Sequence, residues 1–364
     1  MTAQLTVDGR DGPARHGRVS TSRGAFSVPC FMPVGTRGSV RTLSAADLDD
    51  LGVGVVLANA YHLMLRPGAA TVAALGGLHR FTGWEGHVLT DSGGYQVFSL
   101  APAVDDDGVT FRSSYDGSTH RLTPEAAVAV QEALGGDIQM VLDVCSPLPA
   151  PAEVLRLAVE RTAAWAARAK RAHHLPGQAL FGIVQGGVDP DLRRESAQRT
   201  VEIGFDGYGI GGLSVGESRP EMLEALAAAV EELPADRPRY LMGVGDPVGL
   251  VEAVALGVDM FDCVLPTRLA RHGTVLTSAG RFHVRNAALA RDDGPLDPSC
   301  GCPVCRRWTR AYLRHLHMVG EPSAARLITL HNLRWLLELV RRVSGAIEAG
   351  RLAQLRREVA EVWG

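Results

Sequence analysis

Eight short apolar segments alternate with segments of helical periodicity, and this alternation constrains the fold more than any other feature of the sequence. Most of the apolar segments end in Gly, Asp, Asn or Gln; they cover residues 30–35, 53–59, 87–91, 138–143, 180–185, 207–212, 240–245 and 260–265. The helical segments are rich in Ala, Leu, Glu and Arg, as in 124–134, 152–174, 190–203, 220–233 and 247–256. Alternating strands and helices predict a parallel sheet, and eight such units predict a closed (β/α)8 barrel. A doubly wound open sheet is the alternative.

Three parts of the chain depart from this alternation. Residues 108–121 alternate around Asp116-Gly117, which predicts a β-hairpin inserted after the third barrel strand. The first ~28 residues, with Ser22-Arg23-Gly24, predict a small hairpin that closes the bottom of the barrel. Residues 286–303 are rich in Pro, Asp, Gly and Cys, and 304–362 are mostly helical in pattern. We therefore expect a barrel over residues 1–285 and a C-terminal subdomain with closing helices over residues 286–364.

The composition is that of a globular protein. Of the 364 residues, 46% are hydrophobic and 21% are charged, which excludes disordered and fibrous classes. The net charge of −3 means that any site for a polyanion must be local. No run of 18 apolar residues occurs and residues 1–10 lack the apolar centre of a signal peptide, so a cytosolic protein is expected. In the cytosol its six cysteines would be reduced, and metal binding or catalysis would be commoner uses for them than disulfides.

Carboxylates and a carboxamide follow the predicted strands at the end where barrel enzymes carry their active sites. Asp91 and Asp143 end the third and fourth apolar segments, Gln185 ends the fifth, and Asp262 lies within the eighth. A single Asp in such a place is commonly a helix N-cap. Three of them within apolar segments favour an active site, because a buried carboxylate without a partner is costly.

A cysteine cluster near residue 300 predicts a metal site. Cys300, Cys302 and Cys305 form a Cys-x-Cys-x-x-Cys pattern, and histidines follow in a helical region. Three thiolates and one imidazole would hold zinc in a closed tetrahedral site, which is structural because no coordination position stays open. The spacing leaves the fourth ligand open among three candidates, His315, His317 and His331. The alternative is three incidental thiols.

Arginines concentrate after the eighth predicted strand. Between residues 264 and 315 there are nine arginines and three aspartates; the arginines are Arg268, Arg271, Arg281, Arg285, Arg291, Arg306, Arg307, Arg310 and Arg314. A basic zone of this kind, beside the predicted active-site end, is typical of contact with a phosphate backbone. An ordinary solvated face is the alternative.

Several motifs in a fixed order resemble the tRNA-guanine transglycosylase family, of the bacterial queuosine type. The resemblance covers essentially the whole chain. It rests on Phe31-Met32-Pro33-Val34-Gly35-Thr36, Asn59-Ala60-Tyr61-His62-Leu63, Asp91-Ser92-Gly93-Gly94-Tyr95-Gln96, Gln185-Gly186, the 211–217 loop, 262–268 and the cysteine cluster.

The resemblance implies a fold, a reaction and partners. The fold is an irregular (β/α)8 barrel with a zinc-binding subdomain near its C-terminus. The reaction replaces the wobble guanine of tRNAs with a GUN anticodon by a 7-deazaguanine, in queuosine biosynthesis, without a nucleotide cofactor or ATP. The catalytic residues implied are Asp262 as the nucleophile and Asp91 as the general acid/base. The partners implied are the tRNA anticodon loop, the free base and a second copy of the chain in a homodimer.

The resemblance also implies which residues bind each partner. Asp143, Gln185 and the Gly212 backbone correspond to the groups that recognise the guanine edge, and Tyr95 and Met242 to the pair that sandwiches the base. The full substrate set adds Asp91, Ser92, Gly93, Gly94 and Leu213. The RNA-binding set is Gly243, Val244, Gly245, Asp246, Pro247, Val248, Gly249, Thr267, Arg268, Leu269, Ala270 and Arg271. The zinc ligands are Cys300, Cys302, Cys305 and His331.

The chain departs from the family pattern at a few positions. Val144 stands where many relatives carry Glu, and the stretch 268–273 replaces a loop that more usually has Gly and Asn between and after its two arginines. These changes concern loop geometry and anticodon contacts rather than catalysis. Val215, together with Cys145, favours 7-aminomethyl-7-deazaguanine over free queuine as the incoming base.

Three other functions are compatible with part of the pattern. An archaeosine-type transglycosylase usually carries further C-terminal RNA-binding domains, whereas this sequence ends soon after the predicted zinc helices. A non-catalytic tRNA-binding partner subunit would have lost its nucleophile, whereas Asp91 and Asp262 are both present. A zinc hydrolase needs an open metal position, which three Cys and one His do not leave.

Overall fold

A computed structural model describes residues 2–100 and 102–364. The strands within this part of the chain are β1 (Gln4–Asp11), β2 (Ala14–Thr21), β3 (Gly24–Val28), β4 (Cys30–Gly35), β5 (Val55–Ala58), β6 (His87–Thr90), β7 (Ala103–Val104), β8 (Val109–Arg112), β9 (Thr119–Leu122), β10 (Ile138–Met140), β11 (Ala179–Val184), β12 (Gly207–Ile210), β13 (Arg239–Leu241), β14 (Met260–Cys263), β15 (Thr274–Thr277) and β16 (Gly280–His283).

The helices occupy most of the intervening chain. They are α1 (Ala45–Leu51), α2 (Ala60–Leu65), α3 (Ala69–Ala74), α4 (Gly77–Thr82), α5 (Gly94–Phe98), α6 (Pro124–Leu134), α7 (Ala152–Ala172), α8 (Pro190–Ile203), α9 (Arg219–Glu232), α10 (Pro247–Ala255), α11 (Leu265–Arg271), α12 (Pro303–Arg307), α13 (Arg310–Met318), α14 (Pro322–Glu348) and α15 (Leu352–Trp363). In residues 2–100 and 102–364, we find no helix with the length and apolar character needed to span a membrane.

Eight parallel strands close into a barrel, as the sequence predicts. Their order is β4, β5, β6, β10, β11, β12, β13 and β14, and β14 pairs with β4 to complete the ring. Large side chains such as Met32, Phe181, Tyr240 and Phe261 are fully buried. All eight strands therefore end at one mouth, which gathers residues that lie far apart in sequence.

The bottom of the barrel is closed by a three-stranded antiparallel sheet, β1–β2–β3. The sequence predicts only a hairpin here, so that prediction is one strand short. The sheet is fixed by Arg15, whose guanidinium donates to both carboxylate oxygens of Asp259 at 2.7 and 2.6 Å, just before β14 begins. Arg23 similarly donates to Asp137, just before β10, at 2.8 Å.

A small antiparallel sheet lies between the third and fourth barrel strands, where the sequence predicts an inserted hairpin. Strands β8 and β9 pair antiparallel on either side of a turn containing Gly117, which has φ +73°, and β7 completes a small sheet. Trp165 of α7 donates its indole N–H to the carbonyl of Asp106 at 2.8 Å and so ties the insertion to the barrel.

The C-terminal region is helical, as predicted, and has an apolar cluster of its own. Leu313 and Ile328 pack there with Cys302, and Ala270 and Val275 join them from before residue 286. Helix α14 also packs on β1, β2 and β4, so the region lies against the barrel. The boundary at residue 285 stays a prediction.

Candidate active site

A cleft of about 390 Å³ lies at the C-terminal ends of the barrel strands. Residues at seven of the eight strand ends line it, and it is open to solvent at the mouth. Of the predicted substrate-binding residues, the lining includes Asp91, Ser92, Gly94, Tyr95, Asp143, Gly212, Leu213 and Met242. The remaining two contact this lining: Gly93 donates its N–H to Asp91, and Gln185 is hydrogen-bonded to Asp143.

Asp91 follows β6 and is held by three donors. Its carboxylate accepts from Asn59 Nδ2 at 2.7 Å and from the backbone N–H groups of Ala60 and Gly93 at 2.9 and 3.1 Å. Burial raises the pKa of Asp91 to about 7, and the negative charges of Asp262 and Asp143 add to this rise. A carboxyl group with such a pKa can both give and take a proton near neutral pH.

Asp262 lies on β14, and its Oδ1 accepts two hydrogen bonds. Tyr240 donates its hydroxyl at 2.6 Å, and the Gly243 backbone N–H donates at 2.8 Å. Burial raises the pKa of Asp262, and these two donors oppose the rise by stabilising the ionised form. The donors leave Oδ2 without a partner among the described residues, so one carboxylate oxygen is available for chemistry.

Asp143 and Gln185 form a buried polar pair beside these carboxylates. Gln185 Nε2 donates to Asp143 Oδ2 at 2.5 Å. Burial raises the pKa of Asp143 to about 6, although this hydrogen bond lowers it. Gly212 has φ +67°, and a Cβ there would collide with Gln185 Oε1. The close approach therefore requires glycine and brings the Gly212 backbone against the amide.

An N-cap was the alternative to an active-site role for each cleft aspartate. None of the three occupies an N-cap position. Other acidic residues serve that purpose: Asp189 caps α8 and Asp246 caps α10. The cap of α2 is Asn59, which accepts from the His62 N–H through Oδ1 while its amide donates to Asp91. The cleft carboxylates therefore hold no N-cap position, although Asp91 also accepts from the N–H of Ala60, the first residue of α2.

Tyr95 and Met242 line the cleft from different elements. Tyr95 lies on α5 and is 62% exposed, and Met242 follows β13 and is half-buried. Their faces can cover a planar ligand within the cleft, as expected for a base-binding site.

Arg193 is a functional residue that the sequence analysis missed. It is fully buried on α8, and its guanidinium donates to the carbonyls of Gly187, Val184, Gly211 and Gly212 at 2.7, 3.1, 2.7 and 3.2 Å. Burial lowers the pKa of Arg193 to about 10, so it stays charged at neutral pH. It fixes the strand ends that carry Gln185 and Gly212.

For the base exchange that the resemblance implies, substituting Arg193→Met should raise the KM for guanine at least tenfold, with a smaller effect on the KM for RNA. The reason is that a loop displacement of about 1 Å can cost on the order of a hundredfold in a binding site. Arg193→Lys, which keeps a cationic donor, should recover part of the loss. Steady-state kinetics with guanine and RNA varied separately would measure both constants. An unchanged guanine KM with a reduced kcat would contradict the positioning role.

The predicted RNA-binding residues differ in accessibility. Arg268 and Arg271 are exposed on α11, whereas Thr267 and Ala270 on the same helix are buried. In the 243–249 segment the exposed residue is Gly243, and Asp246 is half-buried. The other five, Val244, Gly245, Pro247, Val248 and Gly249, are buried. Direct contact with RNA is therefore open to Gly243, Asp246, Arg268, Leu269 and Arg271, and the buried residues shape the loops.

The predicted metal ligands lie together in the C-terminal region. The Sγ atoms of Cys300, Cys302 and Cys305 and one ring nitrogen of His331 all lie within 4.8 Å of one another, so they could hold a metal ion. His331 Nδ1 lies 3.5 and 3.2 Å from the sulfurs of Cys302 and Cys305. Its Nε2 lies 2.8 Å from the Leu276 carbonyl, which fixes the ring with Nδ1 facing the sulfurs.

The other two histidine candidates lie elsewhere. His317 Nε2 accepts from Arg285 Nε at 3.2 Å and packs near His283, and His315 is exposed on α13. The structure thus brings His331, the residue implied by the resemblance, to the cysteines. A set of three sulfurs and one nitrogen fits zinc in a closed site.

Taken together, the barrel and the cleft carboxylates define a barrel enzyme, and the three-cysteine cluster forms a separate site that could hold a metal ion. Residues 10–364 match the family model described as "Queuine tRNA-ribosyltransferase". The chain is 56% identical over 348 residues to the queuine tRNA-ribosyltransferase of Desulforudis audaxviator, covering 95% of this chain and 94% of that one. It is 54% identical to the enzymes of the same name from Symbiobacterium thermophilum (96% and 88% covered) and Syntrophobacter fumaroxidans (94% and 93% covered).

The chain belongs to the queuine tRNA-ribosyltransferase family. The predicted resemblance is thereby confirmed. So is the prediction of a tRNA-guanine transglycosylase of queuosine synthesis, which is a pentosyltransferase.

Proposed function

We propose that the protein exchanges the wobble guanine of tRNAs with a GUN anticodon for 7-aminomethyl-7-deazaguanine, in the cytoplasm, through a covalent bond between Asp262 and the ribose. The observation that carries this proposal is the convergence of Asp91, Asp262 and the Asp143–Gln185 pair on one cleft. Two carboxylates with different hydrogen-bond partners suit a double displacement at an anomeric carbon.

In the first displacement, Asp262 Oδ2 attacks the anomeric carbon of the ribose. The carbon–oxygen bond forms as the bond from that carbon to guanine N9 breaks, and the electron pair leaves with the base. Asp91, protonated because burial raises its pKa to about 7, gives its proton to the departing guanine. Tyr240 and Gly243 keep Asp262 oriented through Oδ1.

In the second displacement, the incoming 7-deazaguanine loses its N9 proton to Asp91. Its nitrogen then bonds to the anomeric carbon, and the bond to Asp262 breaks, which returns the carboxylate. Two inversions at one centre preserve the configuration of the ribose. The wobble nucleotide lies in a loop, so it can leave its stack without breaking a helix.

Recognition of the base follows from the polar groups beside the carboxylates. Asp143 accepts from the donor N–H edge of a guanine-like base, and Gln185 and the Gly212 N–H donate to its oxo group. Adenine presents the opposite pattern of hydrogen-bond donors and acceptors on this edge. It would therefore leave buried polar groups without partners, and each such group costs about 1–3 kcal/mol of binding free energy. Tyr95 and Met242 stack on the base. Cys145 and Val215 line the same cleft, where they face the 7-substituent in this proposal.

The pKa of Asp91 gives the reaction a pH dependence. Below about pH 7 Asp91 is mostly protonated and can protonate the leaving guanine, so kcat/KM for tRNA should fall as the pH rises through about 7. Asp262 must be ionised, so an acid limb is expected at lower pH. Asp91→Asn should remove the alkaline limb and retain weak activity. Initial rates between about pH 5 and 9 test this; a wild-type alkaline limb that persists in Asp91→Asn would contradict it.

The metal and the quaternary structure complete the proposal. Zinc would be held by Cys300, Cys302, Cys305 and His331, and it would stabilise the C-terminal region without taking part in catalysis. We propose a homodimer on the basis of family membership, with one subunit aiding RNA docking while the other acts.

The proposal is tested by incorporation of labelled bases into anticodon stem-loop RNA. One RNA carries guanine at the wobble position, and a matched RNA carries adenine there. Labelled guanine and 7-aminomethyl-7-deazaguanine should enter only the first RNA, and queuine should enter neither. Incorporation at another position would contradict the wobble assignment, and preference for queuine would contradict the incoming base.

A further inference from the structure

Two arginines on the rim of the cleft stack on one tyrosine. Arg37 follows β4, Arg66 follows α2, and Tyr115 lies in the turn between β8 and β9. The guanidinium carbons of Arg37 and Arg66 lie 5.4 and 4.9 Å from the centre of the Tyr115 ring, within the range of cation–π contacts. The Tyr115 hydroxyl lies 2.9 Å from His62 Nδ1, which fixes the ring. Three separate segments are thus assembled to hold two like charges together.

These arginines have no counter-charge. Among residues 2–100 and 102–364, no carboxylate lies within 4.0 Å of the guanidinium nitrogens of Arg37, Arg41 or Arg66. By contrast, Arg121 on the inserted sheet and Arg168 on α7 both form ion pairs, with Asp105 and Glu125. Clustered like charges repel, so this arrangement is stabilised when an anion binds.

The unpaired arginines are continuous with those after β14. Burial lowers the pKa of Arg271, and the positive charges of Arg41 and Arg268 lower it further, so the two groups of arginines adjoin. The cleft lining includes Thr36, next to Arg37, and Arg268. Because β14, β4 and β5 are neighbours in the barrel, the basic surface runs along the rim beside these three adjacent strands.

We propose that Arg37 and Arg66, which are held on Tyr115, form with Arg41 a rim arc that binds the phosphate backbone of the RNA strand flanking the exchanged nucleotide. This inference rests on the proposed function. Unpaired planar guanidinium groups match phosphate oxygens, and the cation–π contacts hold Arg37 and Arg66 in place before RNA arrives. Together with the neighbouring Arg268 and Arg271, the arc would hold the strand along this part of the rim while one base enters the cleft.

The test is the double variant Arg37→Ala/Arg66→Ala. The KM for stem-loop RNA should rise about tenfold or more, whereas kcat and the KM for guanine should stay within about twofold of wild type. The slope of log affinity against log salt should fall by roughly 1.4, because each phosphate of a single strand that the variant leaves unneutralised accounts for about 0.7. The matched control is Arg10→Ala/Arg18→Ala, which removes the same charge from exposed positions on the bottom sheet and should change none of these values.

The role of Tyr115 is tested separately. Tyr115→Phe keeps both ring faces and should bind RNA nearly as wild type does. Tyr115→Leu removes the aromatic ring that holds the two guanidinium groups. It should raise the KM for RNA severalfold without changing the KM for guanine. Equal behaviour of the Phe and Leu variants would overturn the assembly on the ring.

The outcomes separate this inference from the proposed function. If the wild-type protein exchanges no base, the proposed function fails. If wild type exchanges bases and the Arg37/Arg66 variant keeps the RNA KM and salt slope of the control, the rim arc is wrong. A variant that changes oligomeric mass but not RNA binding would overturn it as well, because the arc would then contact a second copy of the chain.

Discussion

Replacing Asp262 by alanine is expected to lower kcat for base exchange by at least about ten-thousandfold. The side chain supplies the oxygen that would bond to the ribose, and loss of a covalent nucleophile removes the whole reaction path rather than one interaction. The KM for RNA should change little, because Asp262 is not among the residues proposed to bind the RNA backbone. Labelled guanine incorporation under saturating RNA is the measurement.

The Asp262→Ala protein should fold normally. Asp262 is a half-buried carboxylate with a raised pKa, so its removal relieves a desolvation penalty, and water in the open cleft can accept from Tyr240 and Gly243. A thermal melt serves as the folding control. Tyr240→Phe, which keeps the nucleophile and removes only one donor, should retain measurable exchange. Wild-type turnover by the alanine variant would disprove the nucleophile assignment.

The second large effect is expected on stability, from Cys302→Ser. Cys302 is almost fully buried in the C-terminal apolar cluster and lies beside His331. Loss of one ligand from a closed metal site should weaken metal binding and remove several kcal/mol of stability from the region. The Tm of the metal-loaded protein should fall by about 10 °C or more, and a chelator should produce a similar shift in wild type.

Two histidine variants give this prediction a matched control. His331→Ala should lower the Tm as Cys302→Ser does, whereas His315→Ala, at an exposed position on α13, should leave it unchanged. Of the two histidine variants, only His331→Ala should have a lower metal content per chain. If all these variants had the same Tm as the wild-type protein, a structural role for the metal would be contradicted.

The barrel could be predicted from the sequence because each strand–helix unit carries a local pattern. Short apolar segments followed by polar residues recur eight times, and closure needs no knowledge of side-chain contacts. The carboxylates could be found for the same reason: parallel strand ends share one edge, so Asp91, Asp143 and Asp262 had to meet. The metal cluster was predicted from the close spacing of its cysteines.

Contacts between distant segments could not be predicted from patterns in the sequence. Arg193 sits on an amphipathic helix as an ordinary arginine, and only the fold directs it at four backbone carbonyls. Tyr240 lies in an apolar strand segment and so is expected in the core from the sequence. Only the pairing of β13 with β14 shows that its hydroxyl donates to Asp262. The rim arc depends on the insertion turn meeting the loop after β4, which no periodicity encodes.

The most direct test of the account is to identify the residue that becomes bonded to RNA during the reaction. The protein is mixed with wobble-guanine stem-loop RNA, denatured in acid within a turnover, digested and analysed by mass spectrometry. A ribose ester is expected on the Asp262 side chain, and it should be absent from the Asp262→Ala protein. An adduct on Asp91 or Asp143, or no adduct while labelled guanine is exchanged, would contradict it.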